Sequence, residues 1–170
     1  SGGFFGSGES TGSVGVVTIN MPKIAYLSAT PEEFYQRLDR LMDISARSLK
    51  IKRDVITRLM EEGLYPYTRR YLGTFENHFS TIGLIGMNEV GLNAKWLRKD
   101  MTHKETQDFT VEVLNHMRER LSDYQEQYGD LYNLEATPAE STTYRFAKHD
   151  KKDFPDIITA AKDGETPYYT

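Results

Sequence analysis

Apolar and polar positions fall into blocks along this chain, and the block from Asn77 to Glu89 is the least interrupted. Ser80 to Ile85 is a short apolar run with no charge, the length of a strand buried on both faces. Gly83 and Gly86 mark places where another backbone or a ligand comes close. Asn88 and Glu89 follow where a strand hands over to a helix, the position at which ligands bind in parallel α/β sheets. Before this block, Val14 to Asn20 is a β-branched strand ended by Met21-Pro22. Its apolar residues are consecutive, so it too is expected to be buried on both faces. Leu131 to Glu135 is a third strand candidate, and Pro167 to Thr170 a possible beginning of a fourth.

Helical periodicity fills the intervals. Thr30-Pro31-Glu32-Glu33 is a capping box with proline at the first helical position. Phe34, Leu38, Leu41, Met42, Leu49, Val55, Ile56 and Leu59 then recur at helical spacing until Gly63 stops the helix. Leu64 to Glu76 reads as a loop rich in tyrosine and arginine. Asn88 to Lys99 is a short helix carrying the only tryptophan, Trp96. Thr102-His103-Lys104-Glu105 repeats the capping pattern ahead of a stripe at Val113, Leu114, Met117, Leu121, Tyr124 and Tyr128, closed by Gly129. A third box, Thr137-Pro138-Ala139-Glu140, opens a helix through Tyr144, Phe146 and Ala147. Residues 1–12 form a Gly/Ser-rich leading loop, or in part a cloning remnant, and residues 13–170 form the folded part. The order β, α, β, α, β, α, with long crossovers, predicts an α/β fold of consecutive parallel β-α units. Three such strands alone leave two open sheet edges, which suggests part of a larger sheet.

Composition narrows the chemistry. Among 170 residues, 21 Lys and Arg face 25 Asp and Glu, interspersed, for a net charge of −4. No basic stripe points to nucleic acid, and no apolar run approaches the roughly 18 residues of a membrane helix. No secretory signal is visible, so a cytoplasmic location is expected. There is no cysteine, which removes disulfides, thiolate metal sites and cysteine nucleophiles from these residues. His78, His103, His116 and His149 show no ligand spacing, so no metal site is expected.

Two readings of the third box stand side by side. Its helix start offers unpaired N–H groups and a positive dipole end to a phosphate, with Ser141, Thr142 and Thr143 adding hydroxyls. Alternatively Thr137 and Glu140 satisfy the helix end themselves, and Glu140 repels an anion. Asn88 and Glu89 are equally a cap with a dipole-favoured carboxylate or a site for acid–base work. The cluster Tyr65, Tyr67, Arg69, Arg70, Tyr71 is either a base- or phosphate-binding loop or an interface, and Phe4-Phe5 is a mobile element over a site in the thinnest of these readings.

Several stretches taken together resemble the catalytic subunit of anaerobic (class III) ribonucleotide reductase, a glycyl radical enzyme. They are Gly12 to Pro22, Gly63 to Pro66, Asn77 to Glu89, Tyr132 to Glu140 and Phe154 to Ile158. The resemblance implies a ten-stranded α/β barrel, of which this chain supplies consecutive strands as a central segment. It implies a radical-based reduction of ribonucleoside triphosphates, with the radical cysteine upstream of Ser1 and the glycyl-radical loop and zinc-binding cysteines downstream of Thr170. The segment alone is then expected to be catalytically inert. By the same resemblance Thr137, Pro138, Ala139, Glu140, Ser141 and Thr142 cradle substrate phosphates, while Asn20, Asn88 and Glu89 line the barrel mouth. Ser13 matches a position that formate-using members often fill with asparagine, which leaves the reductant, formate or a redox protein, open. Other implied partners are a radical-SAM activating enzyme, ATP and dNTP effectors, and a second subunit in a homodimer. A non-catalytic nucleotide-binding or scaffold module, or a glycyl radical enzyme acting on another substrate such as pyruvate, remain alternatives.

Overall fold

The structure is a computed structural model that describes residues 4–6, 9–63, 76–136 and 140–170. Short strands β1 (Phe4–Gly6) and β2 (Glu9–Thr11) pair antiparallel, with Phe4 opposite Thr11. The leading loop expected over residues 1–12 therefore contains a small hairpin. Strand β3 (Ser13–Asn20) runs into helix α1 (Met21–Leu27), and the long helix α2 (Pro31–Glu61) follows. Strand β4 (Phe79–Ile85) leads to α3 (Met87–Asn93) and α4 (Lys104–Tyr128), and β5 (Tyr132–Ala136) to α5 (Glu140–Asp153). The strands β3, β4 and β5 lie side by side in chain order, parallel, with helices in every crossover.

Helix α2 starts as its sequence dictates. The Thr30 hydroxyl accepts from the Glu33 N–H at 3.2 Å, and the Glu33 carboxylate accepts from the Ala29 N–H at 2.7 Å. Gly63, at φ +75°, ends it. Phe34, Leu38, Met42 and Leu49 form the buried line, but Leu41 and Val55 are each 41% exposed. They lie on one flank of the helix, beside Ile44 and Ile51, so the expected stripe is narrower than it reads in sequence.

Met21-Pro22 ends β3 as expected and opens α1: the Asn20 side chain accepts from the Lys23 N–H at 3.3 Å and caps that helix, with proline in its first turn. Four further expectations change. Strand β3 is not buried throughout, since Val16 is 50% exposed. Thr102 does not cap α4, because Asp100 takes both its N–H and its hydroxyl in a local turn. The helix after β4 ends at Asn93 rather than Lys99, and residues 167–170 form no strand. The expectation for β4 holds: every residue after Phe79 in it is buried.

The chain divides into two compact units. The first comprises residues 1–17, 42–82 and 117–135. In it Val14 packs with Met60 and Ile56, the Tyr124 and Tyr132 rings lie 5.8 Å apart, and the Tyr132 hydroxyl donates to the Ala46 carbonyl at 2.9 Å. Arg53, buried, donates to the His78 carbonyl at 2.6 Å and the Ser80 hydroxyl at 3.1 Å, and stands 3.6 Å from the Asp130 carboxylate.

The second unit comprises residues 18–41, 83–116 and 136–170. Its centre is an aromatic group in which Phe34 meets Trp96 at 6.1 Å and Phe109 at 5.3 Å, both near edge-to-face. Ile85, Ala147 and Tyr169 form a second cluster, with Phe146 against it. No helix among the described residues is long and apolar enough to cross a membrane.

Candidate functional site

Two polar groupings stand out in a mostly apolar sheet. In the first unit, Ser13 on β3, Thr81 on β4 and Asn133 on β5 form a row across the three strands. The Ser13 and Thr81 hydroxyls are 3.0 Å apart, and Thr81 donates to Asn133 Oδ1 at 2.6 Å. Ser13 is exposed, whereas Thr81 is 1% exposed. Strand side chains alternate in direction. Ser80 meets Arg53 of α2, so Thr81 points to the opposite face of β4.

In the second unit the polar residues gather where β3 and β4 end. Asn20 Nδ2 donates to Asp150 Oδ2 at 2.7 Å, and the Tyr169 hydroxyl donates to the same oxygen at 2.6 Å. The next residue, Thr170, gives its N–H to Glu89 Oε1 at 3.0 Å and its hydroxyl to the same atom at 2.6 Å. Asn88 Nδ2 donates to the Thr170 hydroxyl at 3.0 Å. The Thr170 carbonyl in turn accepts from the Gly86 N–H at 2.9 Å. Asn93 fixes the same helix by donating to the carbonyls of Glu89 and Ile158. Of the residues expected at the barrel mouth, Asn88 and Glu89 bond directly to Thr170, and Asn20 shares the Asp150 carboxylate with Tyr169. Asn88 is not the cap of α3. That position belongs to Gly86, at φ +78° and with no side chain to offer.

Glu89 is a buried carboxyl of this cluster. It is 2% exposed, and its Oε2 has no hydrogen-bond partner among the described residues. Burial raises its pKa above the ordinary 4.5, against the pull of the two Thr170 bonds. Burial and the bond to Asp150 likewise push the Tyr169 hydroxyl up, so it stays a donor. A carboxyl that is more basic folded than unfolded stabilises the fold fully below its unfolded pKa, and that contribution is lost as pH rises through the folded value. Glu89→Gln keeps the shape and removes the titration. The variant is therefore expected to gain stability relative to the parent chain as pH rises from 4 to 8. Urea midpoints across that range measure it, and a difference that does not change with pH would contradict the assignment.

The phosphate-cradle candidates are only partly visible. Thr137, Pro138 and Ala139, like the Tyr/Arg cluster at 65–71, lie outside the described residues. Glu140 begins α5, Ser141 is exposed and Thr142 half-buried. A cavity of about 470 Å³ in the first unit, lined by Asp43, Arg47, Arg120, Asp123, Tyr124 and Tyr128 among others, contains none of the sequence candidates. No group of three or more His, Cys, Asp or Glu stands together to hold a metal among the described residues.

Sequence reasoning missed Asp150, Tyr169, Thr81 and Asn133. Asp150 carried a faint signal, an acid one turn beyond Phe146 and Ala147 on the apolar side of α5. Thr81 and Asn133 carried none beyond being polar within strands.

The sequence model of the family described as anaerobic ribonucleoside-triphosphate reductase matches residues 2–170. The anaerobic ribonucleoside-triphosphate reductase of Haemophilus influenzae is 28% identical over 93% of this chain and 24% of its own length. The enzyme of that name from Enterobacteria phage T4 is 26% identical over 84% of this chain and 25% of its own. The crystal structure of the anaerobic ribonucleotide reductase from Thermotoga maritima with dATP bound in the specificity site superposes with a TM-score of 0.79. It is 27% identical and covers 96% of this chain and 28% of its own. The same enzyme in complex with dATP and CTP gives 0.78, also at 27% identity, over 95% of this chain and 27% of its own. The three-strand parallel sheet with its helices matches the α/β barrel of these structures. The chain spans about a quarter of the length of these relatives.

Proposed function

Since this chain belongs to the anaerobic ribonucleoside-triphosphate reductase family, we propose that it lines the active-site barrel of such a reductase and binds the substrate's phosphates. The observation that carries this is the match over residues 2–170 together with the junction from β5 to α5. A helix beginning four residues after a strand ends offers N–H groups and a positive dipole end to an anion. Ser141, exposed in the first turn, adds a hydroxyl, and residues 137–142 are the proposed cradle. The Thermotoga maritima relative in complex with CTP supports a ribonucleoside triphosphate as the ligand.

The family's chemistry would replace the ribose 2′-hydroxyl by hydrogen, with water leaving and two electrons coming from the reductant. The chain contains no cysteine, and among the described residues no cluster suits zinc. Neither the thiyl radical nor the zinc finds a thiolate among these residues. The part of this chain is to bind and orient the nucleotide. The same reading brings a radical-SAM activating enzyme, formate or a redox protein as reductant, ATP and dNTP effectors, a homodimeric assembly and a cytoplasmic setting as proposals.

In a reductase carrying this segment, Ser141→Leu is expected to raise KM for the ribonucleoside triphosphate roughly tenfold, about 1.4 kcal/mol. The exposed site implies little change in stability. An unchanged KM overturns the phosphate assignment. Sequence flanking this segment that lacks a cysteine-bearing loop and a glycyl-radical motif overturns the reductase reading as a whole.

A further inference from the structure

Helix α2 buries one side and leaves apolar residues on the other. Within the first unit Met42, Ala46, Leu49, Arg53 and Met60 are buried. Ile44, Ser48, Ile51 and Val55 fall within an arc of about 60° on the opposite side, at roughly 3.6 residues per turn. Ser48 is exposed, and Ile44 is 59%, Ile51 56% and Val55 41% exposed. Single exposed apolar residues are ordinary on a protein surface. These positions, however, follow one another at spacings of 4, 3 and 4. That alternation is the seam of a coiled coil, in which each side chain fits a hole on a facing helix. Ser48 is the polar position within it, and one polar position in such a seam fixes its register.

The charges bordering the seam are mainly cationic. Arg47, Lys52 and Arg58 flank it and are exposed. The carboxylates nearby are Asp43, Asp54, Glu62 and Asp123. Asp54 stands 3.1 Å from Lys50 Nζ, and Asp43 accepts from Arg120 and from the Tyr124 hydroxyl. Glu62, past the last residue of α2, stands 4.0 Å from Arg58, and Asp123 of α4 shares a cavity with Arg47. Two copies of this face laid together would set Arg47 against Arg47 or Lys52, which disfavours self-association. An anionic bilayer would match the charge, but a seam one residue wide and without an aromatic anchor inserts little apolar area. A helix with acidic residues beside its own apolar seam satisfies both features at once.

We propose that the outward side of α2, from Ile44 to Arg58, is a docking surface for an amphipathic helix of a partner protein, one whose apolar a and d positions are bordered by Asp and Glu. Arg53, on the buried side, reaches Ser80 of β4, so this face points away from the sheet. The inference therefore goes beyond the nucleotide reading and does not rest on it.

Fluorescence anisotropy with a reductase carrying this segment tests it, using two labelled helical peptides. Both have leucine at a and d, and one has glutamate at e and g where its twin has lysine. The glutamate peptide is expected to bind roughly tenfold more tightly than the twin, and to weaken as added salt screens the exposed charges. Arg47→Glu is expected to reduce that preference severalfold. Ile51→Ser should weaken the glutamate peptide roughly tenfold, the order of value of a buried aliphatic side chain at an interface. Both positions are exposed, so the far-UV circular dichroism spectrum should not change. Equal affinity for the two peptides overturns the proposal, as does an affinity that neither substitution alters. Failure of both peptides to bind overturns it as well. Co-sedimentation with phosphatidylserine vesicles that Ile51→Ser abolishes, without binding of either peptide, overturns it in favour of a membrane surface. None of these outcomes touches KM for the nucleotide, so the phosphate cradle stands or falls separately.

Discussion

Gly86→Ala is expected to destabilise the chain by roughly 3 kcal/mol, far more than a methyl group costs at an open position. Two effects combine. Gly86 sits at φ +78°, where an L side chain costs about 1–2 kcal/mol. A Cβ there would also stand 2.6 Å from Pro22 Cδ and closer still to Cγ, and forcing atoms into a packed site costs about 1–3 kcal/mol. The proline ring is rigid, so the overlap is relieved only by moving α1 or the start of α3. Gly63→Ala separates the two effects. Gly63 has φ +75°, but nothing among the described residues stands within 4 Å of its Cβ position. It should lose only the conformational part, about 1 kcal/mol. Urea unfolding of both variants measures the difference, and equal losses would show that Pro22 accommodates the methyl group.

Arg53→Met is expected to cost roughly 3 kcal/mol in the first unit, at the lower end of what breaking a buried ion pair costs. The methionine fills the same space, so the loss is one of charge and hydrogen bonds. The His78 carbonyl and the Ser80 hydroxyl lose the guanidinium as a donor. Among the described residues the Asp130 carboxylate, 14% exposed, keeps Lys50 at 3.2 Å as its cation. The apparent melting temperature should fall by about 6–12 °C for a chain of this size. A loss under about 1 kcal/mol by chemical denaturation would mean that water or Lys50 replaces the guanidinium. Restoring a donor with Arg53→Lys should recover only part of the loss, since one ammonium cannot reproduce the guanidinium fork.

The two experiments probe features of different legibility. Gly86 was marked in the sequence as a point of close approach, because a glycine at the end of an apolar run has few other uses. What approaches it, Pro22, was read as the end of a strand. Arg53 lies among Lys50, Lys52 and Asp54, and in sequence looks like one more member of a solvated face. Its burial follows from the position of α2 over β4, which no local pattern records. The helix α1 was missed for a related reason. Asn20-Met21-Pro22 is a cap followed by a first-turn proline, but a helix of seven residues is too short to show a period. Pro167 to Thr170 has strand-like residues, yet it bonds to Gly86, Asn88, Glu89, Asp150 and Ala160 rather than to a ladder.

By itself the sequence determined the order of strands and long helices, their ends at Gly63 and Gly129, and the burial of β4. These follow from periodicity and from backbone preferences of single residues, which act over a few positions and are written where they act. Tertiary structure alone decided which polar residues meet. Asn20 finds Asp150 130 positions away, Glu89 finds Thr170 81 away, and Thr81 finds Asn133 52 away. Each pair is a choice among many donors and acceptors of the same kind. The choice is made by the packing of strands and helices, because a buried polar group bonds to whatever that packing puts within reach.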